Sequence, residues 1–201
     1  IWMKWAVICL VVEWARAVQA VPYYVNDAYD PVNDVYTTAG GNNVNSGTAP
    51  GSPKATLGNL IGTVSLAAGD IVYIDTGTYA PAVISNTVVG AAGNRILFQG
   101  STNLVAGGTT LTAASGNLLD VLGRHLEFRD LRLVGGTVGI GLSGASFNEF
   151  VRITAISNAQ NGVQSFGLDN SNACRRCIFY AMNFSGVAFQ TASVGNYIEH
   201  C

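Results

Sequence analysis

The chain has 201 residues with 24 glycines, a formal net charge of −2, and 11% charged residues against roughly a quarter in ordinary globular domains. So small a charge excess gives no electrostatic footprint for nucleic acid, and the length suits one domain. The richness in Gly, Asn, Ser and Thr is the mixture that stacked short strands with tight turns require.

Met3-Lys4 precedes an apolar run from Trp5 to Val12, and Val18-Gln19-Ala20 offers small side chains at positions −3 and −1 of a cleavage site. Residues 1–20 are therefore expected to be a secretory signal peptide, against which stand Glu13 and Arg16. A retained N-terminal helix is the alternative. Secretion places the mature protein outside the cell or in the periplasm, and the run is too short to span a membrane. Ile1 precedes the only plausible initiator, Met3, and Cys201 falls in the middle of a coil, so the reading frame is expected to be partial.

Residues 21–70 are expected to form an N-terminal cap. Ser52 is a good helix N-cap and Pro53 a favoured first helical residue, which predicts a short helix from Ser52 to about Ile61 with Leu57, Leu60 and Ile61 facing inward. An open solenoid end exposes core and unpaired strand groups, and this helix would cover it. Gly69 and Asp70 are expected to form the turn into the first coil, and Gly77 to permit the bend after it.

From residue 71 onward the chain repeats. Asn148-Glu-Phe-Val-Arg-Ile153, Asn172-Ala-Cys-Arg-Arg-Cys177 and Asn196-Tyr-Ile-Glu-His-Cys201 begin 24 residues apart. In each, an apolar residue follows the Asn by two positions (Phe150, Cys174, Ile198) and a second lies three further on (Ile153, Cys177, Cys201). Phe128 and Leu131 continue both columns upstream, and Phe98 and Ile74 extend the first. The 30-residue step from Phe98 to Phe128 contains Ser101 to Ser115, read as an inserted loop. Short alternating runs such as Ile71 to Ile74, Ile96 to Phe98, Leu118 to Val121 and Val138 to Leu142 read as strands. Gly139-Ile140, Gly162-Val163 and Gly186-Val187 mark a second strand per coil. No coil carries the Leu-x-x-Leu-x-Leu pattern of a leucine-rich repeat, so residues 71–201 are expected to be an all-β right-handed parallel β-helix with a short N-terminal capping helix.

The order Tyr23-Tyr24-Val25, Asn45-Ser-Gly-Thr48, Ser52-Pro-Lys-Ala-Thr-Leu57, Gly69-Asp-Ile-Val-Tyr-Ile-Asp75 and Gly77-Thr-Tyr79 resembles the N-terminal cap and first coil of the pectate lyase-like superfamily. With the 24-residue period, the resemblance covers the whole mature chain. It implies a fold more firmly than an activity.

Two motifs lose their usual meaning in this setting. Gly139-Ile-Gly-Leu-Ser-Gly144 matches a dinucleotide fingerprint by letter, but no helix pattern follows it. Cys174 and Cys177 with His200-Cys201 mimic a zinc quartet, yet the cysteines occupy the core columns. A buried thiol stack is the leading reading, with a metal site or a Cys177 to Cys201 disulfide as alternatives.

Chemistry must then come from outward positions. Between the apolar columns lie Arg129, Val151, Arg175 and Glu199, and beside them Asp130, Arg152, Arg176 and His200; Glu127 and Glu149 form a third column. At a strand spacing of about 4.8 Å these side chains form a ladder. Stacked guanidinium forks suit bidentate binding of carboxylates, so an acidic polysaccharide such as a uronan is the expected partner, with no nucleic acid and a monomeric protein. The alternative is a solvated ladder in which Asp130 pairs with Arg152 and Glu199 with Arg175.

The family resemblance implies two reaction types. A lyase would abstract the proton α to a uronate carboxylate, with Arg152 or Arg176 neutralising the carboxylate and His200 as base or acid; Asp130, Arg129, Arg175 and Glu199 would bind substrate. A hydrolase would need paired carboxylates, and the Asn-Thr-Asp, Asp-Asp and Gly-His-Gly sequences of the polygalacturonase branch are absent. The sequence calls for no cofactor. Calcium is possible for such lyases, but Glu127 and Glu149 supply two ligands at most and no metal site is assigned. Two functions stand: a secreted β-helix that binds or processes acidic polysaccharide, and a non-catalytic cell-surface or structural β-helix such as an adhesin module.

Overall fold

The computed structural model describes residues 19–190 and 193–201, so the signal-peptide segment lies outside the described residues except for Gln19 and Ala20. In chain order, β1 (Pro22–Val25) is followed by α1 (Leu57–Thr63). Three strands per coil come next: β2 (Ile71–Ile74), β3 (Gly77–Tyr79) and β4 (Ala82–Ile84); β5 (Ile96–Gly100), β6 (Thr109–Ala113) and β7 (Asn117–Val121). The third and fourth coils are β8 (Leu126–Arg129), β9 (Leu131–Gly135) and β10 (Val138–Leu142), then β11 (Glu149–Val151), β12 (Thr154–Ile156) and β13 (Asn161–Ser165). The fifth has β14 (Ala173–Arg175), β15 (Ile178–Tyr180) and β16 (Ser185–Ala188), and β17 (Tyr197–Glu199) starts another.

All strand pairs are parallel, and they make three sheets: β1-β2-β5-β8-β11-β14-β17, β3-β6-β9-β12-β15 and β4-β7-β10-β13-β16. The chain is thus a parallel β-solenoid of about five turns. Parallel strands need crossovers, and here each crossover is simply the rest of the coil. The expected register holds from the third coil onward: Phe128, Phe150, Cys174 and Ile198, at steps of 22, 24 and 24 residues, pair successively across the first sheet. Rings of Phe98, Phe128 and Phe150 stack with centroids 4.8 and 5.3 Å apart, and all three are fully buried. Leu131, Ile153 and Cys177 form the second buried column.

From the third coil onward the corners that flank the first two sheets turn through residues in the left-handed region. Asp130, Arg152, Arg176 and His200 occupy the corner between the first and second sheets with φ of 53 to 56°. His125, Phe147 and Ser171 do the same before the first sheet, and Gly135, Ser157 and Ala181 after the second. None of these is β-branched, the side-chain class that region tolerates least. Beside the corner entering the first sheet, Asn148, Asn172 and Asn196 form an internal ladder. The Asn148 and Asn172 side-chain oxygens accept from the N–H of Leu126 (2.9 Å) and Asn148 (3.1 Å), and Asn196 accepts from Asn172 (2.8 Å). Asn148 and Asn172 are buried, and the ladder satisfies backbone donors that a corner would otherwise orphan.

Several expectations need correction. Phe98 pairs with Val72 rather than Ile74, because Ile74 faces Gly100 at the end of β5. The stretch from Ser101 to Ser115 is not all loop, since Thr109–Ala113 is β6 and pairs with β9. The helix begins at Leu57, capped by the Thr56 hydroxyl, which accepts from Asn59 N–H at 3.2 Å. Residues 52–54 lie outside the helix: Ser52 closes a turn by donating to the Ala49 carbonyl, Lys54 bridges to Val25 as a parallel partner, and the Pro53 carbonyl accepts from Asn42. Leu57 and Leu60 are buried and Ile61 is partly so. Asp70 binds the N–H groups of Val21 and Ala67 beside Gly69, whose φ is 92°. Gly77 is required for approach rather than for bending, since a Cβ there would stand 2.3 Å from the Asp27 carboxylate.

Candidate functional site

The outer face of the first sheet carries two side-chain columns per coil. One runs Glu127, Glu149, Ala173, Tyr197 and the other Arg129, Val151, Arg175, Glu199, as the strand register sets them. The corner residues Asp130, Arg152, Arg176 and His200 form a third column beside them. The structure therefore brings all seven expected site residues onto one edge of the solenoid.

Asp130 departs from the expected exposure. It is buried at 8%, and its carboxylate takes a bidentate pair from Arg152, with Nε to Oδ1 at 2.7 Å and Nη2 to Oδ2 at 2.6 Å. Gln99 Nε2 donates to the same carboxylate at 2.8 Å. Burial pushes its pKa up, but these donors, with Arg129 nearby, outweigh burial and hold it below the usual carboxylate range. The left-handed corner explains the burial: it folds the short carboxylate back against the coil, while the longer arginines of the next coils reach outward. The Asp130 partnership raises the Arg152 pKa in return.

The rest of the face is a chain of ion pairs. Arg129 pairs with Glu127, and Arg175 pairs with Glu199 and lies 3.6 Å from Glu149. Glu149 also meets Arg95 at 3.6 Å. The Arg175 guanidinium sits 4.8 Å over the Tyr197 ring and donates to the Tyr197 hydroxyl. His200 Nε2 lies 3.6 Å from Glu199 Oε1, and its side chain is 74% exposed. Of Arg129, Arg152, Arg175 and Arg176, Arg176 has no acid partner among the described residues.

Arg176 also separates two depressions. On the first-sheet side, a hollow of about 140 Å³ is lined by Val151, Arg175, Arg176, Glu199 and His200. On the second-sheet side, a cleft of about 310 Å³ is lined by Leu104, Arg132, Arg152, Thr154, Arg176 and Ile178, with Asp130 and Leu131 at its base. Gln99, Tyr197 and the second cleft are absent from the sequence reading. The register Thr110, Arg132, Thr154, Ile178 along the second sheet is the signal that would have located the cleft, once β9, β12 and β15 are recognised as strands. The second histidine, His125, stacks on Phe147 at 4.9 Å on the other side of the first sheet. Burial, with Arg95 and Arg124 beside it, keeps its pKa below the ordinary imidazole value.

The motifs set aside earlier lie in the body of the solenoid. Gly139 is in β10, where a Cβ would stand 2.5 Å from the Gly162 carbonyl, so close backbone approach explains the recurrent glycines. Cys174 and Cys177 are buried free thiols and Cys201 is exposed, with Cys177 Sγ 3.3 Å from the Phe150 carbonyl. Among the described residues no group of three His, Cys, Asp or Glu is placed to hold a metal ion. Glu127 and Glu149, side by side in register, are each engaged by arginine and do not by themselves make a calcium site.

No protein-family model matches the chain, and no curated protein matches it. Two solved structures do. An alginate lyase from Paenibacillus sp. str. FPU-7 superposes with a TM-score of 0.50 at 18% identity, over 72% of this chain and 62% of that one. A rhamnogalacturonan lyase superposes with a TM-score of 0.54 at 19% identity, over 90% of this chain and 51% of that one. This chain thus spans between half and two thirds of the length of each. At such identity the likeness establishes the fold, a pectate lyase-like parallel β-helix, and no more.

Proposed function

We propose that this chain is a secreted right-handed β-helix, capped at one end by its N-terminal segment and helix, that binds acidic polysaccharide along the first sheet and its corner. The observation that carries the reading is Arg176, an exposed guanidinium without an acid partner among the described residues, set between two depressions in a column of otherwise paired charges. An unpaired planar fork is ready for a carboxylate at no cost in broken ion pairs. The two structural neighbours are named as an alginate lyase and a rhamnogalacturonan lyase, which favours a polysaccharide as the partner.

In the catalytic form of this reading, Arg176 holds the uronate carboxylate and draws charge from the carbon beside it. His200 removes the proton α to that carboxylate; the electron pair forms the carbon–carbon double bond and the glycosidic oxygen leaves from the β position, taking a proton. Arg152 acts differently from Arg176, since Asp130 fixes it and it supplies field and shape rather than a free fork. Arg129, Arg175, Glu199 and Asp130 set the path of the sugar chain.

The test is polygalacturonate binding at low salt, with a neutral glucan as control. Binding weakens as salt rises, because exposed charges are screened within about 8 Å at physiological ionic strength. Arg176→Gln abolishes it without altering the fold, and ultraviolet-absorbing unsaturated ends mark turnover. The second reading, a non-catalytic structural β-helix, draws on the Asp130–Arg152 and Arg175–Glu199 pairs, which make much of the ladder self-sufficient. Failure of any polyuronate to bind at low salt decides for it.

A further inference from the structure

The cleft on the second-sheet side of the corner has a chemistry that charge recognition alone does not explain. Its walls are two apolar side chains in water, Leu104 at 62% and Ile178 at 57% exposure, one from the loop after β5 and the other from β15. Arg132, Arg152 and Arg176 line the same cleft. Asp130 neutralises Arg152, while Arg132 and Arg176 have no acid partner among the described residues. Arg132 Nε is buried and has no hydrogen-bond acceptor among the described residues, a state that buried donors rarely tolerate. Thr154 adds a hydroxyl between them.

A bare uronate would satisfy the cations but offer Leu104 and Ile178 only its ring C–H groups. A neutral sugar would leave the cations unpaired. We propose that this cleft is a subsite for an anionic sugar unit carrying a small acyl substituent, an O-acetylated uronate. The acetyl methyl lies against Leu104 and Ile178, its carbonyl oxygen accepts from the Arg132 guanidinium, and Arg176 keeps the carboxylate. The inserted loop that lengthens the second coil brings Leu104 to the cleft, which gives that insertion a role in selecting substrate. This subsite rests on the polyanion reading and refines it.

The experiment compares one polymer in two states: polygalacturonate before and after chemical O-acetylation, titrated into the full chain at low salt. The acetylated polymer binds about fourfold tighter for each acetyl methyl buried. The double variant Leu104→Asn, Ile178→Asn, whose changes fall on exposed side chains, loses that preference and keeps its affinity for the unmodified polymer. Arg132→Met reduces the preference while leaving the unmodified polymer bound through Arg176. Equal binding of both polymers to the wild-type chain overturns the subsite and leaves the polyanion site standing. Binding of neither overturns both.

Discussion

The first sheet is closed at one end of the solenoid and open at the other. Over β2 and β5 its outer face is covered by the segment between β1 and α1: the Tyr36 ring packs on Tyr73 at 4.7 Å and its hydroxyl donates to the Gly100 carbonyl at 3.0 Å. Asp75, wholly buried, anchors that cover by accepting from the N–H groups of Val35, Tyr36 and Thr37 and from the Thr37 hydroxyl, at 2.7 to 2.9 Å. From β8 onward the carboxylates of the face grow more exposed: 13% for Glu127, 21% for Glu149 and 42% for Glu199. A carboxylate under cover is committed to backbone donors and holds structure. A carboxylate in the open is committed to arginines, and such pairs exchange readily with a ligand.

This contrast has a graded set of consequences. Asp75→Ala takes the carboxylate from five donors, the Thr76 N–H included, and lowers unfolding stability by about 3–5 kcal/mol, since buried donors left unpaired each carry a desolvation penalty. Chemical denaturation measures it, and an unchanged midpoint would mean that the cover is held by other contacts. Tyr36→Ala loses the ring contact and one hydrogen bond and costs about 1–3 kcal/mol. Asp130→Asn, between the two regions, costs about 1 kcal/mol at neutral pH, because Arg152 is nearly half exposed and its pair is screened.

The Asp130 pair also has a pH signature. Its folded pKa is depressed, so its contribution is fully present above the unfolded value of about 4 and is lost as pH falls through the folded value. The difference between wild type and Asp130→Asn should therefore be constant at neutral pH and shrink below about pH 4. A difference that grows on acidification would reverse the assignment. Arg176→Asn is the mildest change, within about 0.5 kcal/mol, because the side chain has no partner to lose and Asn tolerates the left-handed corner.

The columns that the sequence made legible are those with constant chemistry at a constant spacing. Phe128, Phe150 and Cys174 are apolar every coil, so their stacking could be read directly. The second sheet was hidden because its inward residues vary from Leu133 to Ala155 to Phe179, and its strands β12 and β15 are three residues long. The corner residues were assigned to the right column but with the wrong exposure at Asp130: the left-handed turn there is made by Asp, Arg and His rather than by the Gly or Asn that usually announce it. Asn148, Asn172 and Asn196 set the period, yet their burial as hydrogen-bond bridges follows only from the corner geometry. The Asp130–Arg152 pair was legible from the ladder; the second cleft was not, because Leu104 reaches it from an insertion with no counterpart in other coils.

The single-residue corner has an evolutionary corollary. Because each coil from the third onward contributes one side chain to that column at the strand spacing of about 4.8 Å, recognition length is counted in coils. Duplicating a 24-residue unit would extend the column by one position and leave every existing contact in register. Inserting one residue into a strand would instead turn its outward side chains into the core. A protein of this design can lengthen or shorten its grip on a polymer by gene duplication and deletion, and can retune each position by a point substitution at Arg152, Arg176 or His200 without redesigning the coil beneath it.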